Sequence, residues 1–250
     1  MDTTEYIKTL AREGRLLADA AERAGTEAPV PTCPGWRVAD LLRHTGVVHR
    51  WAAAFVTEGY ASFHPEPDEP AIDGTALLDW YRESHGLLVG ALTEAPATLE
   101  CWTFLPAPSP RAFWARRQAH ETAVHRVDAE SALPATAGRA TPVEARFAAD
   151  GVDELLCGFH AREKSRVRTA APATLRVRAT DTGDVWTVTL TERPPRTTRT
   201  DEGPADCELA GPADKLYLLL WNRLADASPA VTVSGDDRPL RLWRETSAVI

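Results

Sequence analysis

Apolar positions recur every three to four residues through four long N-terminal stretches, then switch to every second residue toward the C-terminal end. In "TEYIKTLAREGRLLADAAERAG", Tyr6, Leu10, Leu17 and Ala21 hold the helical spacing and Gly25 follows, which predicts an amphipathic helix with a glycine stop. "TEAPVPTCPGW" is rich in proline and is expected to be an ordered extended connection. A second helix is predicted from near Trp36, with Val38, Leu41, Leu42, Val48 and Ala52 on its buried side. "YASFHPEPDEPAIDG" has loop composition, and Asp73 or Thr75 is placed to cap a third helix. A proline-bounded crossing, "PATLECWTFLPAPSP", leads to a fourth helix from about Arg111 to Ser131. Four long amphipathic helices joined by long connections predict a four-helix bundle.

A fifth helix, "VEARFAADGVDELLCGFHAREK", precedes the change of period. "ATLRVRATDTGDVWTVTLTE" alternates Leu175, Val177, Ala179 and then Trp186, Val188, Leu190 about a D-T-G-D turn, the pattern of a β-hairpin. A short apolar segment at 206–210, a helix "PADKLYLLLWNRLA" and a strand-like "AVTVSGD" complete a small α+β unit. The expected division is therefore an all-α domain over 1–165 and an α+β domain over 166–250. The stretch "TERPPRTTRTDEGP" (191–204) is expected to be a mobile surface loop.

Composition narrows the classes open to this chain. At 250 residues and 44% hydrophobic it can bury a core without disulfides. A net charge of −8 argues against nucleic acid as partner, since phosphate neutralisation needs a basic surface. No apolar run reaches the ~18 residues of a membrane span, and "MDTTEYIKTLAREG" lacks the layout of a signal peptide. Cys33, Cys101, Cys157 and Cys207 are scattered without a C-x-x-C pair, as expected of a reduced cytoplasmic protein.

Candidate chemistry concentrates in "RRQAHETAVHRVDAE" (116–130). Glu121 and His125 lie four residues apart, about 40° around a helix, so both reach one point, whereas His120 lies about 140° from His125. A third ligand must come from another helix. His44 and His49 on the second helix are also about 140° apart. Leu41, Val48 and Trp51 flank His44, which predicts that His44 rather than His49 points inward. Spacing thus selects His44, Glu121 and His125, a donor set suited to Zn²⁺ with Ni²⁺, Co²⁺, Mn²⁺ or Fe²⁺ as alternatives. Three protein ligands leave positions open for chemistry. The competing reading is a solvated helix face, where a Glu–His pair four apart is common. Arg117 and Asp128 are either residues that orient the ligands or an intrahelical charge pair. His49, His64, His85 and His160 are expected to be surface or packing residues.

"VPTCPGWRVADLLRHTGVVHRWA" (30–52) and "RRQAHETAVHRVDAE" resemble the two signature stretches of the mycothiol-dependent maleylpyruvate isomerase family. "ADGVDELL", the hairpin and "CELAGPADKLYLLLWNR" resemble that family's C-terminal domain. The resemblance implies a DinB/YfiT-like four-helix bundle followed by a small α+β domain. It implies a divalent metal, commonly zinc, held at the positions of His44, Glu121 and His125. It also implies mycothiol as co-substrate, activated as a thiolate against a small electrophile, with either isomerisation or S-transfer as the outcome. Arg223 of "LLLWNR" matches an arginine that in the family aids catalysis or substrate binding, a plausible partner for a carboxylate. The expected partners are a small thiol and an electrophile, with no nucleic acid or membrane. The arginine- and alanine-rich composition agrees with an actinobacterial source. A metal-dependent hydrolase and a non-catalytic small-molecule-binding or resistance protein remain the alternatives.

Overall fold

The computed structural model describes residues 1–134, 141–224 and 229–248. The chain falls into two compact units, Met1–Thr141 and Pro142–Ile250.

The first unit is the expected bundle: α1 (Thr3–Ala24), α2 (Val38–Glu58), α3 (Gly74–Glu94) and α4 (Pro110–Ser131). Asp2 caps α1 through a reciprocal pair with Glu5, and Gly25 ends it at positive φ. Tyr6, Leu10, Leu17 and Ala21 are buried, as are Val38, Leu41, Leu42, Val48 and Ala52. The connection before α2 is ordered: Val30 N donates to Trp36 O (2.9 Å), and Pro29 bridges to Arg37. Asp73 is the cap residue of α3, but its carboxylate pairs with Arg43 rather than with the helix backbone.

One helix departs from the amphipathic picture. α4 is buried nearly all round, and Arg117, His120, His125, Arg126 and Asp128 are all buried. The arginine Arg126 is fully buried and bonds Glu13 of α1 (Nε–Oε2 2.7 Å), Glu130 and the Thr141 carbonyl. Such groups are tolerated inside because each meets an opposite charge or a hydrogen-bond partner.

The second unit begins with α5 (Ala145–Asp153), which runs on as a π-helical turn through Phe159. The expected single helix over 143–164 is therefore shorter and changes winding. α5 packs on α6 (Ala213–Leu220) and so belongs with this unit, whereas the sequence pattern places it with the bundle. Among the described residues, five strands follow in one mixed sheet. β1 (Ala173–Ala179) and β2 (Val185–Leu190) form the expected hairpin, with Leu175 opposite Val188 and Val177 opposite Trp186. β4 (Cys207–Gly211) pairs parallel to β1 and antiparallel to β5 (Thr232–Gly235). The loop expectation over 191–204 is corrected in part: β3 (Arg196–Thr198) pairs with β2 as an edge strand. Three residues of Arg and Thr after two prolines are too few to show a period. The pattern assigns nothing after 236, yet α7 (Arg238–Thr246) buries Leu240 and Trp243. Among the described residues, no helix is long and apolar enough to cross a membrane.

α2 and α3 approach closely at Gly46, where an added Cβ would lie 2.1 Å from the Trp80 ring. Gly46→Ala is expected to cost about 1–3 kcal/mol through overpacking, measured as a lower urea midpoint at unchanged slope. An unchanged midpoint would show that Trp80 swings aside freely.

Candidate metal centre

α2 and α4 bring three expected ligands to one point. One donor atom from each of His44, Glu121 and His125 lies within 4.8 Å of the others. Nε2 of His44 stands 3.4 Å from Oε1 of Glu121, and Nε2 of His125 stands 3.2 Å from the same oxygen. Tetrahedral ligands about 2.1 Å from a zinc ion sit roughly 3.4 Å apart, so this spacing fits a small divalent cation. His44 is about a third exposed and Glu121 about a fifth, which leaves the point reachable from solvent.

The far atoms of Glu121 and His125 are each tied down by a neighbour. Arg117 Nη2 donates to Glu121 Oε2 (3.2 Å), leaving Oε1 directed at the histidines. His125 Nδ1 donates to Asp128 Oδ2 (2.9 Å), and a carboxylate can only accept, so Nδ1 keeps its hydrogen and Nε2 faces the site. Asp128 is fully buried and accepts in turn from the Thr32 hydroxyl (2.6 Å). Arg117 thus restrains Glu121, and Asp128 restrains His125. Trp36 closes one side, edge-on to His44 at 5.2 Å and stacked with His125 at 6.4 Å between ring centroids. Thr32 and Trp36 both lie in "VPTCPGW"; the prolines signal an ordered segment there, but nothing local names its partners.

Charge follows from this geometry. Burial alone would raise the Glu121 pKa, but hydrogen bonds from His125 and His44, with the charges of His125 and Arg117, hold it well below the usual carboxylate range. Burial alone would lower the His125 pKa, yet Asp128 and Glu121 raise it to about 9. Without a cation the site is therefore an imidazolium–carboxylate pair at neutral pH.

The remaining histidines correct the simple inward–outward choice. His49, expected to be the less inward of the pair, is fully buried and shares a 2.8 Å hydrogen bond with the Thr122 hydroxyl. His120 is also fully buried, with its ring edge-on to Tyr6 at 6.4 Å. His44 instead lines the open side of the bundle. His85 and His160 are buried packing residues, and His64 is exposed.

Arg223 belongs to the second unit and is not on the helix where the sequence places it. α6 ends at Leu220 because Asn222 turns left-handed (φ 60°). Asn222 N then donates to Leu219 O (3.0 Å) and Arg223 N to Leu218 O (2.7 Å), which is a Schellman end with asparagine in the usual glycine place. The Arg223 guanidinium donates to the Trp221 carbonyl (2.8 Å).

Comparison with known proteins bears on both units. The mycothiol maleylpyruvate isomerase N-terminal domain matches residues 7–130, and the MDMPI C-terminal domain matches 146–241. The chain belongs to the mycothiol maleylpyruvate isomerase family. Its fold is similar to the crystal structure of the mycothiol-dependent maleylpyruvate isomerase, at TM-score 0.59 and 14% identity over 94% of this chain and 93% of that one. A histidine-to-alanine mutant of the mycothiol-dependent maleylpyruvate isomerase gives TM-score 0.60 at 14% identity over the same shares. No curated protein matches the chain. Membership makes this chain an enzyme of a thiol-dependent isomerase family.

The sign of the pH effect follows from the two shifts. His125, raised to about 9, contributes stability that is complete below its ordinary value of 6.5 and is lost as pH rises through 9. Glu121, lowered, contributes stability that is present above its ordinary 4.5 and is lost at lower pH. Metal-free protein is thus expected to lose stability between pH 6.5 and 9 through His125. Asp128→Asn should move the His125 titration down toward 6.5 by NMR. An unmoved titration would remove Asp128 from its orienting role.

Proposed function

We propose that His44, Glu121 and His125 hold a divalent metal, zinc by ligand preference, at which mycothiol is activated to attack a small electrophilic substrate. The observation that carries this reading is the convergence of three donor atoms, with Glu121 braced from behind by Arg117 and His125 by Asp128. Two imidazoles and one carboxylate match a centre that keeps open positions for ligands. Bound there, the cation would supply the charge that turns a weakly acidic thiol into a thiolate at neutral pH.

The chain's own residues do the rest. Asp128 fixes the His125 tautomer so that Nε2 presents its lone pair once the proton has left. Arg117 restrains Glu121 to one coordinating oxygen. The thiolate sulfur forms a bond to the electrophilic carbon of a conjugated cis-alkene, and the displaced π electrons move onto the conjugated acyl oxygen. Rotation and loss of the sulfur give the trans isomer, whereas retention of the bond and protonation at carbon give an S-conjugate. Isomerase and S-transferase are therefore two exits from one addition. Arg223 is proposed to engage a substrate carboxylate through its guanidinium, a role that rests on the family resemblance.

Metal analysis of the purified chain is expected to find about one divalent ion per chain. Glu121→Ala and His44→Ala should lose the ion and the thiol-dependent activity while retaining helical circular dichroism. Full activity in either variant would remove the proposed site. Because His125 is protonated at neutral pH without metal, cation uptake near pH 7 should release close to one proton, detectable by calorimetry in buffers of different ionisation enthalpy. Arg223→Ala should raise KM for a carboxylate substrate about tenfold or more, with partial recovery in Arg223→Lys; equal KM in all three forms would exclude the role.

A further inference from the structure

Two turns along each site helix from the proposed ligands, the same stripe carries tryptophan. Trp51 lies seven residues after His44 on α2, and Trp114 lies seven residues before Glu121 on α4. Seven residues return to within about 20° of the same direction and advance ~10.5 Å. The helices run in opposite senses, so the two indoles meet at 5.3 Å between centroids and nearly perpendicular.

The connections add further rings. Trp102 stands 6.3 Å from Trp51, and Phe104 stands 6.2 Å from Trp114. Phe63, from the proline-rich loop after α2, lies 6.5 Å from Trp51 and 5.6 Å from Trp102. Two of the indole N–H groups are used up on the chain itself: Trp51 donates to His64 O (2.7 Å) and Trp114 to Trp102 O (3.1 Å). Trp51, Trp102 and Phe104 are partly exposed, and Phe63 is 62% exposed. An exposed phenyl ring against partly exposed indoles leaves apolar area that water covers poorly. The ordinary role for such rings is to close the end of the bundle, and the buried Trp114 does that. Phe63 adds little to closure at its exposure, so its outward face is open to a ligand.

We propose that this aromatic wall holds a flat, apolar arm of the electrophile, so that the site favours substrates bearing an aryl group. The reacting end of the substrate rests on the function proposed above, whereas binding of the arm does not.

The test uses the zinc-loaded full chain and two pairs of probes. N-benzylacetamide and N-ethylacetamide report binding without reaction, by saturation-transfer NMR and tryptophan fluorescence. N-benzyl-2-chloroacetamide and N-ethyl-2-chloroacetamide share one reacting carbon. With mycothiol, a sulfur–carbon bond forms, the carbon–chlorine bond breaks, and chloride leaves together with the thiol proton. The benzyl probe is expected to bind about tenfold tighter than the ethyl probe. The benzyl-to-ethyl ratio of kcat/KM should show the same preference, and both preferences should fall severalfold in Phe63→Ala and in Trp102→Leu. Equal binding of the two acetamides, or a preference untouched in both variants, would overturn the aromatic subsite. Turnover of both chloroacetamides without preference would also overturn it and leave the proposed function standing. Tight, variant-sensitive benzyl binding with no catalysed turnover of either would uphold the subsite and remove the proposed function.

Discussion

The helix α4 must keep several charged side chains inside a helical core, and much of the first unit follows from how they are satisfied. Removing one partner of a buried ion pair typically costs about 3–5 kcal/mol, because the other charge is left without solvent or counterion. Arg126 therefore fixes α1 against α4 through Glu13, a pair in which both side chains are essentially hidden from water. Asp128 fixes the segment before α2 through Thr32, and the same carboxylate orients His125. One carboxylate thus links the packing of the bundle to the aim of a proposed ligand. That coupling explains why the site geometry is held by groups that never face its open side.

The helical period made the bundle legible because α1, α2 and α3 each have a wet and a dry side. It served α4 less well, because reading a polar residue as solvated fails on a helix buried all round. His120 and His49 show the failure. Their partners, Tyr6 and Thr122, lie far away in sequence, and no local pattern announces them. The grouping of Glu121 with His125 was legible despite this difficulty, because it depends on the angle between positions on one helix, which the two keep whatever their burial. Choosing His44 over His49 required the apolar flanks of α2. The structure brings His44 to the site for a different reason: it lines the open side while His49 lies deeper.

In the second unit, alternation revealed the β1–β2 hairpin because its inner positions carry large apolar residues. β3 escaped because it is only three residues of arginine and threonine, and α7 because its nine residues give only about two and a half turns of helical period. The end of α6 turned on one residue. Nothing in "LLLWNR" compels a helix to stop at Leu220, but a left-handed Asn222 closes it and carries Arg223 into the turn beyond. A role for Arg223 must therefore be judged from a turn residue whose guanidinium already serves a backbone carbonyl. A substrate carboxylate would have to compete with that bond.

The electrostatics of the metal-free site give a physical reason for its donor set. With Nδ1 of His125 keeping its hydrogen for Asp128, a neutral ring would set the Nε2 lone pair against Glu121 Oε1, and the two would repel. Protonated His125 removes that difficulty by pairing with Glu121 on one side and Asp128 on the other. The three side chains therefore rest near the spacing a small cation would need, which would lower the reorganisation required at the proposed site. A cation taken up at the proposed site would have to displace a proton held with a pKa of about 9, so part of the gross binding free energy would go into that exchange at neutral pH. A geometry prepared in advance and a proton to be displaced act in opposite directions on affinity. Their balance would make occupancy of the proposed site depend on pH.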